Sequence, residues 1–313
     1  MSDPARVVFM GSPDFAVPSL RALVGAGYDV VLVVTQPDKR AGRGAKMQAP
    51  PVKQAAEELG IAVFQPETLR DEAAHARLLG ANADVFVVAA YGKILPRAIL
   101  EIPRRGCLNV HASLLPKWRG PSPIVASILA GEPVTGVSIM ELVRKMDAGP
   151  VLSRVETRIA NDDTAATLEP RLAELGAAEL VRILPGWLSG DVRAAPQDEN
   201  AATYCQLITK GDGWLKTEMG VAEAERAVRA YNPWPGASVM YGEQRLSIWK
   251  ASLADASLGS PGALRLIERL PAVAFHDGWL ALEEVQRPGS KRMAAQQFVA
   301  GERGVLLPQV GLA

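Results

Sequence analysis

In NVHASLLPKWRGPSP, residues 109–123, an amide and an imidazole stand two positions apart where an apolar run gives way to a proline-rich loop. Residues i and i+2 of an extended strand face the same side, so Asn109 and His111 project together. Side by side, an amide can hold a carbonyl oxygen and an imidazole can move a proton, which is the equipment of acyl transfer. The same histidine could equally cap the strand on a backbone carbonyl, and spacing alone leaves both readings open. A third group stands in MELVRKMDAGPVLS, where Asp147 occupies an Asp-Ala-Gly-Pro turn between two strand-like runs. A carboxylate there can orient the imidazole, although an Asp in that setting is more often a plain turn residue.

Other chemistries leave no trace. GSPDFAVPS has one glycine where a dinucleotide fingerprint needs three, and GxxxxGK[ST], HExxH, CxxC and GxSxG are all absent. The three histidines, His75, His111 and His276, show no ligand spacing, which leaves a metal site open but without support. Cys107 and Cys205 are far apart and form no disulfide framework, which favours a reducing cytosol.

The elements that must position these groups alternate through the first half. Apolar, β-branched runs at 7–10, 30–35, 85–90 and 107–112 read as strands buried on both faces. Helical patterns at 14–26, 51–60, 71–80 and 94–101 separate them. Strand-like runs at 134–143 and 151–159 follow, then a helix over 163–188 behind Asn161-Asp162-Asp163. The expectation is an α/β fold, a doubly wound and mostly parallel sheet whose carboxyl edge, where Asn109 and His111 stand, binds ligands. Residues 190–210 are polar and aperiodic, a linker or a surface strap. Beyond them lie a helix at 221–230 and strand-like runs at 237–241, 245–250, 262–270 and 278–285, suggesting a smaller C-terminal β-barrel of the OB type. The predicted division is 1–189, the catalytic domain, and 211–313, joined by the linker.

The 313 residues carry 34 Lys+Arg against 34 Asp+Glu, so any nucleic-acid site needs its cations concentrated locally. One concentration exists: TQPDKRAGRGAKMQAPPVK places Lys39, Arg40, Arg43, Lys46 and Lys53 against Asp38 alone. Its bland reading is a solvated surface loop with a flexible tip. No apolar run approaches a membrane span, and MSDPARVVFMG lacks the basic start and cleavage site of a signal peptide.

Asn109, His111, SLLPKWRG at 113–120 and Asp-x-Gly-Pro at 147–150 together resemble the folate-dependent formyltransferases. GSPDFAVPSL (11–20), TQPDKRAGRG (35–44), VFQPETLR (63–70), AAYGKILP (89–96) and YNPWPGA (231–237) are similar to that family's landmarks in the right order. The resemblance covers nearly the whole chain, thins after residue 240, and is closest to the members that formylate methionyl-tRNA. It implies 10-formyltetrahydrofolate as donor, methionyl-initiator tRNA as partner, and a cytoplasmic monomer independent of metal and membrane. It implies that Asn109 holds the formyl oxygen, His111 transfers the proton of the attacking amine, and Asp147 fixes the histidine. Ser113, Leu114, Leu115 and Pro116, with Tyr91 and Gly92, would form the folate site. Lys39, Arg40, Arg43 and Lys46 would meet the tRNA, Arg43 reaching its end base pairs.

Two other readings differ in class. One uses the same donor on a small amine such as an amino sugar-nucleotide or glycinamide ribonucleotide, and the basic loop and β-rich second domain weigh against it. The other is a non-catalytic RNA-binding module, against which the intact Asn109, His111 and Asp147 stand. Two departures from the family are visible. Residues 206–313 hold twelve Lys/Arg against eleven Asp/Glu, so a tRNA surface there depends on clusters such as Arg287, Lys291 and Arg292. Glu141 stands where the family more often has aspartate. Trp234, between two prolines, suits packing better than base stacking.

Overall fold

Val7, Val8, Phe9 and Met10 are all inaccessible, as are Val85, Phe86 and Val87, so both faces of the central strands are covered. A computed structural model describes residues 4–41, 46–255 and 257–313. In chain order its first half contains β1 (Arg6–Gly11), α1 (Val17–Gly25), β2 (Asp29–Val34), β3 (Lys39–Ala41), β4 (Lys46–Gln48) and α2 (Pro51–Glu58). Then come β5 (Val63–Phe64), α3 (Glu72–Leu79), β6 (Val85–Ala89), α4 (Arg97–Leu100) and β7 (Cys107–His111). They are followed by α5 (Pro123–Leu129), β8 (Val134–Glu141), β9 (Val151–Arg158) and α6 (Ala165–Ser189).

Seven of these strands form one sheet in the order β5-β2-β1-β6-β7-β8-β9. The pairs from β5 through β7 are parallel, while β7–β8 and β8–β9 are antiparallel. The chain leaves β1 toward β2 on one side and returns with β6 on the other, the switch point at which open sheets hold ligands. One face carries Val8, Met10 and Val88 against Leu78 and Ile99 of α3 and α4. Near β7 and β8, a Cβ on Gly176 of α6 would stand 2.7 Å from Val110 and 3.1 Å from Val137. Only glycine lets that helix approach so closely. Asp71 caps α3 by accepting the Ala74 N–H at 2.7 Å, a bond worth about 1 kcal/mol.

The remaining elements are α7 (Val221–Ala230), β10 (Ala237–Tyr241), β11 (Gln244–Ala254), β12 (Leu264–Ile267), β13 (Leu270–Phe275), β14 (Gly278–Gln286), β15 (Met293–Ala294) and α8 (Ala295–Gly301). Their sheet runs β10-β11-β14-β13-β12, with β15 on β14, and every pair is antiparallel. Val239, Ile248, Phe275, Leu280 and Phe298 fill its core. Among the described residues the named strands form no closed barrel of the expected OB type, since β10 and β12 do not pair with each other. The last residues instead make single bridges to each side, Met240 with Gly311 and Ala263 with Gln309. The predicted strand at 262–270 is a hairpin, β12–β13, turned by Glu268 and Arg269 at φ 49° and 67°. Both values suit the tight hairpin turn, which usually announces itself by Asn-Gly or Asp-Gly.

Two compact units divide the chain. The first comprises 1–123, 134–158 and 169–206; the second comprises 124–133, 159–168 and 207–313. Most of the segment expected to be a linker therefore belongs to the first unit, and α5 with the first turn of α6 belongs to the second. Among the described residues no helix is long and apolar enough to cross a membrane.

Candidate active site

His111 ends β7 with 6% of its surface accessible. Its Nε2 lies 3.0 Å from the Trp118 carbonyl oxygen. A carbonyl can only accept, which assigns the hydrogen to Nε2 and leaves Nδ1 as the working nitrogen. Asp147 lies on that side, its Oδ1 3.9 Å from Nδ1. The capping contact and the charged partner thus coexist on the two nitrogens of one ring. Asp147 adopts φ 46°, a left-handed turn conformation that Asp tolerates, and its Oδ2 accepts the Gly120 N–H at 2.8 Å. Asn109, half-buried, stands opposite Met140 of β8 while His111 stands opposite Ser138. Among the described residues the Asn109 amide has no protein partner, so it can donate to a ligand. The fold brings His111 and Asp147 together, and Asn109 stands two positions before His111 on the same strand.

The SLLP loop is shaped from below. Ser138 Oγ donates to the Ser113 carbonyl at 2.7 Å and accepts the Leu115 N–H at 3.0 Å. Arg154 Nε donates to the Leu115 carbonyl at 2.6 Å, and Ser113 Oγ donates to the Lys117 carbonyl at 2.6 Å. Ser113 and Leu115 are buried, so they set the loop's form, while Leu114 and Pro116 remain half-buried. Tyr91 is also turned inward: its ring packs with Val8, Met10 and Ile99, and burial pushes its phenol up to about 12. Its contribution at the sheet edge is the carbonyl, which accepts from Gln36 Nε2 at 2.9 Å and Ser12 Oγ at 3.4 Å. Gly92 follows at φ 77°, where a Cβ would stand 2.4 Å from Gln36 Nε2. The loops after β1, β2 and β6 are therefore tied together at the switch point.

The basic segment is a hairpin at its base, β3 with β4, pairing Lys39 with Gln48 and Arg40 with Met47. The tip expected to be flexible, with Gly42 and Gly44, lies outside the described residues. Arg43 lies outside the described residues, as does the conformation of the Lys46 side chain. Lys39 Nζ donates to Gln36 Oε1 at 2.6 Å, and Arg40 is exposed. Lys53 forms a brace with Asp38 at 2.8 Å, to which Gln65 also donates at 2.8 Å. Those two bonds hold the Asp38 carboxyl below its ordinary range.

Residues that sequence reasoning missed lie in the strap. Gln197 Nε2 donates to the carbonyls of Asp147 and Gly149 at 2.8 and 2.6 Å. Its Oε1 accepts from Arg119 Nε and Nη2 at 3.1 and 3.0 Å. Arg119 is completely buried and also pairs with Glu199 at 2.8 Å. Bonds from Arg119 and then Lys145 hold the Glu199 carboxyl down at about 2. Thr203 Oγ1 accepts the Trp118 N–H at 2.9 Å, and the Cys205 N–H donates to the Arg119 carbonyl at 2.8 Å. No motif marks these residues, because their partners lie 48 to 86 positions away.

Burial pushes both thiols up, Cys107 to about 12. No group of three His, Cys, Asp or Glu among the described residues could hold a metal ion. In the second unit Trp234 is 52% exposed rather than packed away. Arg292 lies 3.6 Å over the Trp249 ring, and Arg287 pairs with Glu302 and covers Phe298.

A mixed sheet with an amide and a carboxylate-flanked imidazole at its carboxyl edge is an α/β domain equipped for acyl transfer. The chain belongs to the formyl transferase family: the formyl transferase domain matches residues 5–184 and the formyl transferase C-terminal domain matches 207–303. It is similar to a methionyl-tRNA formyltransferase of Marinobacter nauticus, 44% identical over 97% of this chain and 98% of that one. A methionyl-tRNA formyltransferase of Dechloromonas aromatica is 45% identical over 95% of each. In fold it is similar to the N-formyltransferase of Helicobacter canadensis solved with folinic acid and dTDP-3-aminofucose. That likeness has a TM-score of 0.66 at 17% identity and covers 90% of this chain and 99% of the other.

Proposed function

We propose that this enzyme transfers the formyl group of 10-formyltetrahydrofolate to the α-amine of methionyl-initiator tRNA. The observation that carries the reading is 44% identity to a methionyl-tRNA formyltransferase along nearly the whole of both chains. The site supports it chemically. Asn109 donates its unengaged amide to the formyl oxygen as negative charge develops there, a stabilisation worth about 3–4 kcal/mol for one well-placed donor. His111, with Nε2 held by Trp118, takes the proton of the attacking amine on Nδ1 and delivers it to the folate nitrogen as the formyl carbon–nitrogen bond of the donor breaks and tetrahydrofolate leaves. Asp147, 3.9 Å away, stabilises the imidazolium that results. The folate lies along Leu114 and Pro116 and the backbone at Tyr91 and Gly92, while Ser113 and Leu115 keep that wall in shape. Lys39, Arg40, Arg43 and Lys46 engage the tRNA together with the second domain, and the enzyme acts as a cytoplasmic monomer. Formyl transfer from 10-formyltetrahydrofolate to methionyl-initiator tRNA, with free methionine and an amino sugar-nucleotide as controls, tests the reading. Formylation of the sugar amine in preference to the charged tRNA would overturn it.

A further inference from the structure

We infer that Gln197 is a positioning residue for the transfer step, holding Asp147 in place against His111 from a strap that carries no catalytic group. The inference rests on the proposed roles of His111 and Asp147. Its starting point is a side-chain amide used at both ends. The Gln197 Nε2 gives its two hydrogens to the carbonyls of Asp147 and Gly149, at 2.8 and 2.6 Å. Those carbonyls flank the turn that presents the Asp147 carboxylate, and Asp147 itself sits at φ 46°, a left-handed conformation that these bonds help to hold. The Oε1 faces the other way and accepts two N–H groups of Arg119. A fully buried guanidinium is a rigid anchor, because its planar fork has one geometry and leaving it unpaired in the interior is costly.

The consequence runs along two short paths. Through its amide nitrogen Gln197 fixes the turn, and the turn aims Asp147 at Nδ1 of His111. Through Arg119 it fixes the residue between Trp118, whose carbonyl holds His111 Nε2, and Gly120, whose N–H donates to Asp147. Both faces of the imidazole network therefore converge on one side chain. A purely structural glutamine would need only the Arg119 contact to keep the strap in place. The pair of bonds to the Asp147 turn is the part with a catalytic consequence.

Two substitutions separate the roles. Gln197→Ala removes both ends. Gln197→Glu keeps an acceptor for Arg119, with a charge added, but can no longer donate to the two carbonyls. If Gln197 positions Asp147, both variants lower kcat by roughly 10–100-fold, the scale on which misplacement of about 1 Å acts. KM for folate and for methionyl-tRNA should stay within about threefold. Circular dichroism should show Gln197→Glu folded at the assay temperature, so that the loss of kcat is read on a native fold. The nitrogen resonances of His111, one of only three histidines, should shift in both variants while those of His75 and His276 stay still. Wild-type kcat and an unmoved His111 spectrum in Gln197→Glu would overturn the inference. A KM rise without loss of kcat would also overturn it. Asp147→Asn, measured alongside, keeps the two readings apart. If that variant is impaired and Gln197→Glu is normal, only the positioning role fails; if Asp147→Asn is normal, the role of Asp147 itself fails.

Discussion

At the scale of single residues, His111 has its two nitrogens assigned by different neighbours, a carbonyl on one side and a carboxylate on the other. His111→Ala and Asn109→Ala should each lower kcat by roughly 10²–10⁴-fold, the range for a lost acid/base or oxyanion group. Dissociation constants for the folate, read by fluorescence titration, should change little because Ser138 and Arg154 still shape the loop. Asp147→Asn retains an acceptor for the Gly120 N–H and a residue type that tolerates φ 46°, so the fold should survive while kcat falls about 10–10³-fold. The pair Asn109 and His111 was legible because strand geometry puts alternate residues on one face. Asp147 was legible as a turn, and its role came from the family resemblance. Gln197 was not legible at all: its partners Arg119 and Asp147 are 78 and 50 positions distant, and nothing in QDEN distinguishes a glutamine that reaches a turn from one in solvent.

At the scale of elements, the central strands announced themselves because VVFM and VFVVA are buried on both faces and admit no polar residue. The β3–β4 hairpin did not, since Lys39, Arg40, Lys46 and Gln48 offer no apolar alternation and its register is set by backbone pairing alone. Its base is rigid where Asp38 meets Lys53 and Gln65. Exposed Arg40 on that base should behave as a phosphate contact. Arg40→Ala is expected to reduce kcat/KM for methionyl-tRNA, leave folate affinity unchanged, and lower the slope of log K against log salt by about 1. The strap makes a separate prediction about pH. Glu199 is held at about 2 instead of the ordinary 4.5, so its contribution to stability is present above 4.5 and is lost as the pH falls from there through about 2. The difference in thermal midpoint between wild type and Glu199→Gln should therefore be constant above about pH 5 and close progressively in acid.

At the scale of the whole molecule, the two compact units are not two consecutive stretches of chain. α5 and residues 159–168 join the second unit, and Val125 and Leu129 pack on its core. A chain ending at Gln206 keeps every residue of the candidate site but leaves those apolar side chains without their partners. It should bind folate, melt at a lower temperature than the full chain, and fail to formylate charged tRNA; normal tRNA formylation by it would remove the second domain from the reaction. The open sheet of that domain has one more consequence. Its edge strands β10 and β12 offer backbone groups that invite pairing with another molecule, and the bridges at Gly311 and Gln309 occupy part of each edge. Val310, 5% exposed, pins the segment that makes them into the core. Those few residues are expected to hinder pairing with a second copy of the chain. Removing 308–313 should leave formyl transfer measurable in dilute solution while the protein forms concentration-dependent oligomers by light scattering, with solubility as the property most sensitive to the last turn of the chain.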